Sequence, residues 1–78
     1  MTTRDAARTL DAGPLGCGDL ILLIFQTMKT LALGETLRVL AHDDGADADI
    51  PAWCRSTGNR LVDVDTRARP KVFVIQKT

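Results

Sequence analysis

The chain has no tyrosine, one tryptophan, two phenylalanines and one histidine among its 78 residues. So few rings argue against a platform on which nucleotide bases stack. Its two cysteines, Cys17 and Cys54, stand 37 positions apart, and His42 is the only other soft ligand. Three such ligands exclude a four-ligand Cys/His zinc site within one chain, so neither metal nor cofactor is expected. The longest apolar run, Leu20 to Phe25, is six residues, against the roughly 20 that a membrane span needs. Met1 to Leu10 is polar and mixed in charge, unlike a signal peptide. The expectation is a cytoplasmic protein whose thiols stay reduced.

What the chain does have is an ordinary globular composition, with 45% apolar and 26% charged residues. At this length it is expected to form one domain over residues 1–78, with 1–7 frayed, as a monomer or weak dimer. Ten basic and ten acidic residues cancel overall, but residues 1–50 hold 4 Lys/Arg against 8 Asp/Glu, and residues 51–78 hold 6 against 2. The halves carry −4 and +4. Arg55, Arg60, Arg67, Arg69 and Lys71 supply most of the positive charge, read as solvated surface or as a rim for an acidic partner or a phosphate backbone.

Arg8 to Ala12 is a short strand candidate ending at Gly13-Pro14. From Gly18 to about Leu33, apolar residues at Ile21, Ile24, Phe25, Met28 and Leu31 keep the spacing of one helical face, and Gly34 follows as a left-handed cap. Glu35 to about His42 reads as a strand, and Asp43 to Ala48 as a loop. Asp49 then caps a shorter helix with Pro51 in its first turn, ended by Gly58-Asn59. Two last strands, Leu61 to Val64 and Val72 to Ile75, are joined by a short polar connection that favours an antiparallel hairpin. The order β-α-β-α-β-β predicts a two-layer α/β (α+β) sandwich, with two helices on one face of a mixed four-stranded sheet.

Cys17 stands where a Gly/Pro-rich loop enters the first helix. Backbone N–H groups at a helix start have no partner inside the helix, and they favour a thiolate. Gly16 and Gly18 flank the sulfur, and Gly18 supplies an N–H that could point at it. Asp19 suits a helix start but repels a neighbouring thiolate, so only a modestly depressed pKa is expected. Cys54, beside Trp53, reads as a core cysteine or as a second, resolving thiol. His42 reads as a polar residue entering a loop, with an acid or base role as the alternative. Leu22 and Leu23 fall off the core stripe and, with Arg55, form a candidate docking patch.

Leu10-Asp11-Ala12, Leu15-Gly16-Cys17, Leu33-Gly34-Glu35-Thr36-Leu37, Asp43-Asp44 and Asp49-Ile50-Pro51-Ala52-Trp53-Cys54 resemble, in that order, the TusA/SirA family of small sulfur carriers. The similarity runs from Leu10 to Lys77. It implies a protein that accepts a sulfane sulfur from a cysteine desulfurase or rhodanese-type donor, holds it as a persulfide on Cys17 and passes it to an acceptor protein. Where the family reads Cys-Pro-x-Pro preceded by Arg-Gly-Leu, this chain has Cys17-Gly18-Asp19-Leu20 preceded by Gly13-Pro14-Leu15. The alternative is a regulatory or RNA-binding adaptor, because the same layout resembles the C-terminal domain of bacterial translation initiation factor three.

Overall fold

A computed structural model describes residues 7–13 and 16–78, with Cys17 described by its backbone alone. The frayed segment expected at residues 1–7 lies, apart from Ala7, outside the described residues. The elements follow the expected order: β1 (Arg8–Asp11), α1 (Cys17–Met28), β2 (Thr36–Ala41), α2 (Ala46–Thr57), β3 (Arg60–Asp65) and β4 (Lys71–Gln76). The four strands form one sheet in the order β1-β2-β4-β3. β1 runs parallel to β2, while β4 is antiparallel to both β2 and β3. This is the expected mixed sheet.

Alternation along β2 fixes which face is buried. Leu37, Val39 and Ala41 are fully buried, and the register sets Leu37 beside Ile75 and Val39 beside Phe73, two equally buried residues of β4. Leu20, Ile24 and Met28 of α1 and Ala46, Ile50 and Cys54 of α2 pack with them in one core. Each helix contributes residues four apart, the spacing of a single helical stripe. The result is an α+β sandwich with both helices packed on the same sheet face.

Two helix boundaries differ from the sequence reading. α1 ends at Met28 rather than near Leu33, because the chain then tightens: Thr30 N–H donates to the Thr27 carbonyl at 3.0 Å and Leu31 N–H to the Met28 carbonyl at 3.1 Å. The Thr30 hydroxyl also donates to the Thr27 carbonyl, at 2.7 Å, competing with a continued helix. Leu31 still reaches the core, from a turn, and Gly34 takes its positive φ of 87° in a later turn rather than as a helix cap. α2 begins at Ala46 after Gly45, so Asp49 is a first-turn residue rather than the cap, and residues 46–48 are helix rather than loop. The cause is Ala46, whose burial extends the Ile50 and Cys54 stripe back by one turn. Gly58 closes α2 with φ of 79°, as a left-handed cap.

The core stripe of α1 is also rotated from the expected one. Leu20 is fully buried and Ile21 partly so, while Phe25, expected inside, is 44% exposed.

Candidate functional site

β1 delivers the chain to the start of α1 at the carboxyl end of the parallel β1-β2 pair. Ala12 N–H donates to the Leu40 carbonyl at 3.0 Å, extending the parallel pairing one residue past β1. Asp11, beside Leu40 in register, sends one carboxylate oxygen two ways: Gly13 N–H donates to it at 2.9 Å, and His42 Nε2 lies 3.0 Å from it. The Gly13 bond, followed by the His42 contact, holds the Asp11 carboxyl below the usual aspartate range. Asp11 thereby ties the start of the loop that leads to Cys17 to the end of β2. Gly13 has φ of 56°, a conformation that glycine adopts without strain.

Gly16 is the N-cap of α1, extended at φ −75° and ψ 171°, with no side-chain capping bond. Cys17, Gly18 and Asp19 are the first three helical residues, and Leu20 N–H closes the first turn on the Gly16 carbonyl at 2.9 Å. Helix geometry leaves the amides of that first turn without an intrahelical acceptor. Gly16, Gly18 and Asp19 are exposed. The expected reach of the Cys17 sulfur lies outside the described residues, as do Pro14 and Leu15.

Beside Asp11 and His42, at the same sheet end, a cavity of about 270 Å³ is lined by Ala41, His42, Asp44, Arg69, Pro70 and Lys71. Lys71 was expected as a solvated cation of the basic rim. It is instead buried, because its register partner is Ala41 and the loop after β2 covers it. Its ammonium group lies 2.9 Å from Asp47 and 3.2 Å from Asp44. The Asp47 contact, aided by Asp44, raises the lysine pKa against the opposing cost of burial. Arg55, Arg60, Arg67 and Arg69 are exposed, but they do not form one rim. Arg60 opens β3 beside Gln76, whereas Arg67 and Arg69 lie in the β3-β4 turn at the other end of that strand.

Cys54 is 3% exposed, and burial pushes its thiol pKa up despite neighbouring Arg55. Leu22 is 54% exposed and Leu23 half-buried, so the exposed apolar stripe on α1 is Leu22 with Phe25, a pairing that the sequence reading missed. A three-and-four spacing count from Leu20 rather than Ile21 would have found it. Arg55 sits in the last turn of α2, at the opposite end of the molecule from the start of α1. The Asp11–His42 contact was missed as well, since it depends on a strand register 31 residues apart in sequence.

Among the described residues, no cluster of three His, Cys, Asp or Glu side chains could hold a metal ion, and no helix is long and apolar enough to cross a membrane. A strand-loop-helix unit with a cysteine as its first helical residue, followed by a second helix carrying Asp49-Ile50-Pro51-Ala52-Trp53-Cys54, is the arrangement that the resemblance implied. Residues 8–77 match the sulfurtransferase TusA family, and the chain belongs to it.

Proposed function

We propose that this protein is a sulfur carrier that accepts a sulfane sulfur as a persulfide on Cys17 and relays it to a partner protein. The observation that carries this reading is the position of Cys17 as the first residue of α1, behind a glycine N-cap with no capping side chain. The first-turn amides are then left for an anion at that end. A helix start favours a nearby anion by about 0.3–1 kcal/mol, less than one pKa unit at about 1.4 kcal/mol per unit. Such help suits a carrier that is loaded on an enzyme surface rather than a free-standing catalyst.

In the loading step the Cys17 thiolate attacks the outer sulfur of a donor persulfide. The donor S–S bond breaks, a new S–S bond forms on Cys17, and the donor cysteine leaves as a thiolate that takes up the proton Cys17 released. Two thiol-level sulfurs exchange one sulfane sulfur, so no external oxidant or reductant is needed. Gly16, Gly18 and Asp19 frame the reacting sulfur in this reading. A donor of the cysteine desulfurase or rhodanese type and a downstream acceptor are the implied partners, docking over the exposed Leu22 and the neighbouring Leu23 on α1.

Cys54 takes the core role in this proposal rather than that of a resolving thiol. It is buried, its thiolate is disfavoured, and it lies eight positions into α2, about 12 Å along the axis from that helix's start. Incubation with a cysteine desulfurase and cysteine, followed by intact mass, tests the assignment. Wild type and Cys54→Ser gain one sulfur atom and Cys17→Ser gains none; sulfur retained by Cys17→Ser contradicts it.

A further inference from the structure

At the end of the molecule away from Cys17, α1 and α2 leave a groove of about 220 Å³ lined by Phe25, Met28 and Lys29 of α1, Trp53 and Thr57 of α2, and Asn59 and Lys77. We propose that this groove binds one aromatic side chain of a partner protein, presented on a segment with acidic residues on either side of it. The walls supply both halves of that chemistry. Phe25 and Trp53 offer ring faces and edges to an incoming ring. Lys29 and Lys77 are the charged residues lining the groove, and no carboxylate lines it.

The lysines remain available to a carboxylate. Lys29 Nζ lies 4.4 Å from the Phe25 ring centroid, at the rim of the groove. Lys77 Nζ donates one hydrogen bond, to the Leu31 carbonyl at 2.8 Å, and an ammonium group carries three protons. The groove is smaller than the roughly 300–1,000 Å³ of small-molecule sites, but it suits a single anchoring side chain of the kind that dominates protein interfaces. A second copy of this chain does not match. None of its three aromatic residues has an acidic residue within three positions.

Phe25 lies eight residues along α1 from Cys17, about 12 Å along the axis, so the groove is separate from the carrier loop. The exposed Leu22 lies one turn nearer to Cys17 on the same side of the helix. The proposal does not depend on sulfur chemistry, and it can stand or fall independently of the carrier assignment.

Amide-proton NMR titration with the peptide acetyl-Glu-Phe-Glu-amide tests it, with Trp53, the sole tryptophan, as an indole reporter. Saturable shifts are expected at Trp53, Phe25, Thr57, Asn59 and Lys77. The peptides acetyl-Lys-Phe-Lys-amide and acetyl-Glu-Ala-Glu-amide produce none at the same concentration. Phe25→Ala and Lys29→Glu each weaken binding by roughly fivefold or more, and Cys17→Ser binds as wild type does. Phe25 is already 44% exposed, so its truncation leaves the fold intact, and the rest of the spectrum verifies this. Equal binding of the lysine peptide, no saturable shift, shifts centred elsewhere, or concentration-dependent shifts at these residues without peptide overturn the proposal.

Discussion

Asp11 and His42, 31 residues apart, meet at 3.0 Å where the parallel strands β1 and β2 end. The same Asp11 oxygen accepts the Gly13 N–H, so one carboxylate organises the first turn of the loop that carries the chain toward Cys17. Because the folded carboxyl has a depressed pKa, its stabilising contribution is present above the ordinary aspartate value and disappears as pH falls through the folded one. Asp11→Ala is therefore less stable than wild type at neutral pH. Thermal melts at stepwise lower pH should show the two proteins converging as the pH falls below the ordinary aspartate range. Asp11→Asn, which keeps an acceptor oxygen, falls between them.

The buried ammonium of Lys71 gives the opposite pH sign. Its folded pKa is raised, so its contribution is complete below the ordinary lysine value and is lost as pH rises through the folded one. Lys71→Met lowers the urea midpoint at neutral pH, and the gap to wild type narrows as the pH rises beyond the ordinary lysine range. Asp47, at 2.9 Å and 45% exposed, matters more than Asp44, at 3.2 Å and 99% exposed. Asp47→Asn accordingly costs more stability than Asp44→Asn.

The rotated stripe of α1 predicts a sharp contrast between neighbours. Leu20 is fully buried, so Leu20→Ala costs about 2–5 kcal/mol of unfolding free energy. Leu22 is 54% exposed, and Leu22→Ala stays within about 0.5 kcal/mol of wild type. Denaturant melts of the two variants distinguish this helix phase from one centred on Ile21.

Gly18 tests what the missing prolines mean. A Cβ there meets nothing within 4 Å, and the second residue of a helix has no intrahelical use for its N–H. Gly18→Pro, the residue found in the family motif, stabilises by about 0.4–1 kcal/mol through the unfolded chain. It also removes the first-turn N–H that follows Cys17 in the chain, so alkylation of Cys17 at neutral pH is expected to be slower than in wild type. The other motif position behaves differently. Leu20 is a core residue whose N–H closes the first turn on Gly16, so a proline there forfeits both the packing and that bond.

Periodicity and turn residues made the element order and sheet type legible. The β-forming run directly after Gly34, Gly58 and the polar 65–70 connection left few alternatives for β2, the end of α2 and the hairpin. Helix ends were less legible because local bonds decided them. Thr27 and Thr30 tighten the chain after Met28, and buried Ala46 draws α2 back past Asp49. At the site, the sequence placed Cys17 at a helix start within one residue. It did not reveal that Asp11 reaches His42 or that Lys71 is buried, since both follow from strand register. Lys71 read as one more charge in a basic segment until Ala41 became its neighbour.

The most direct measurement is to load the wild-type protein from a cysteine desulfurase with sulfur-labelled cysteine, trap the product by alkylation, and map the label by peptide. The label should appear as a persulfide on the peptide containing Cys17, in near-stoichiometric amount, and leave it when an acceptor thiol is added. Label on the Cys54 peptide, or no labelled peptide from a folded and catalytically loaded mixture, would contradict the carrier assignment.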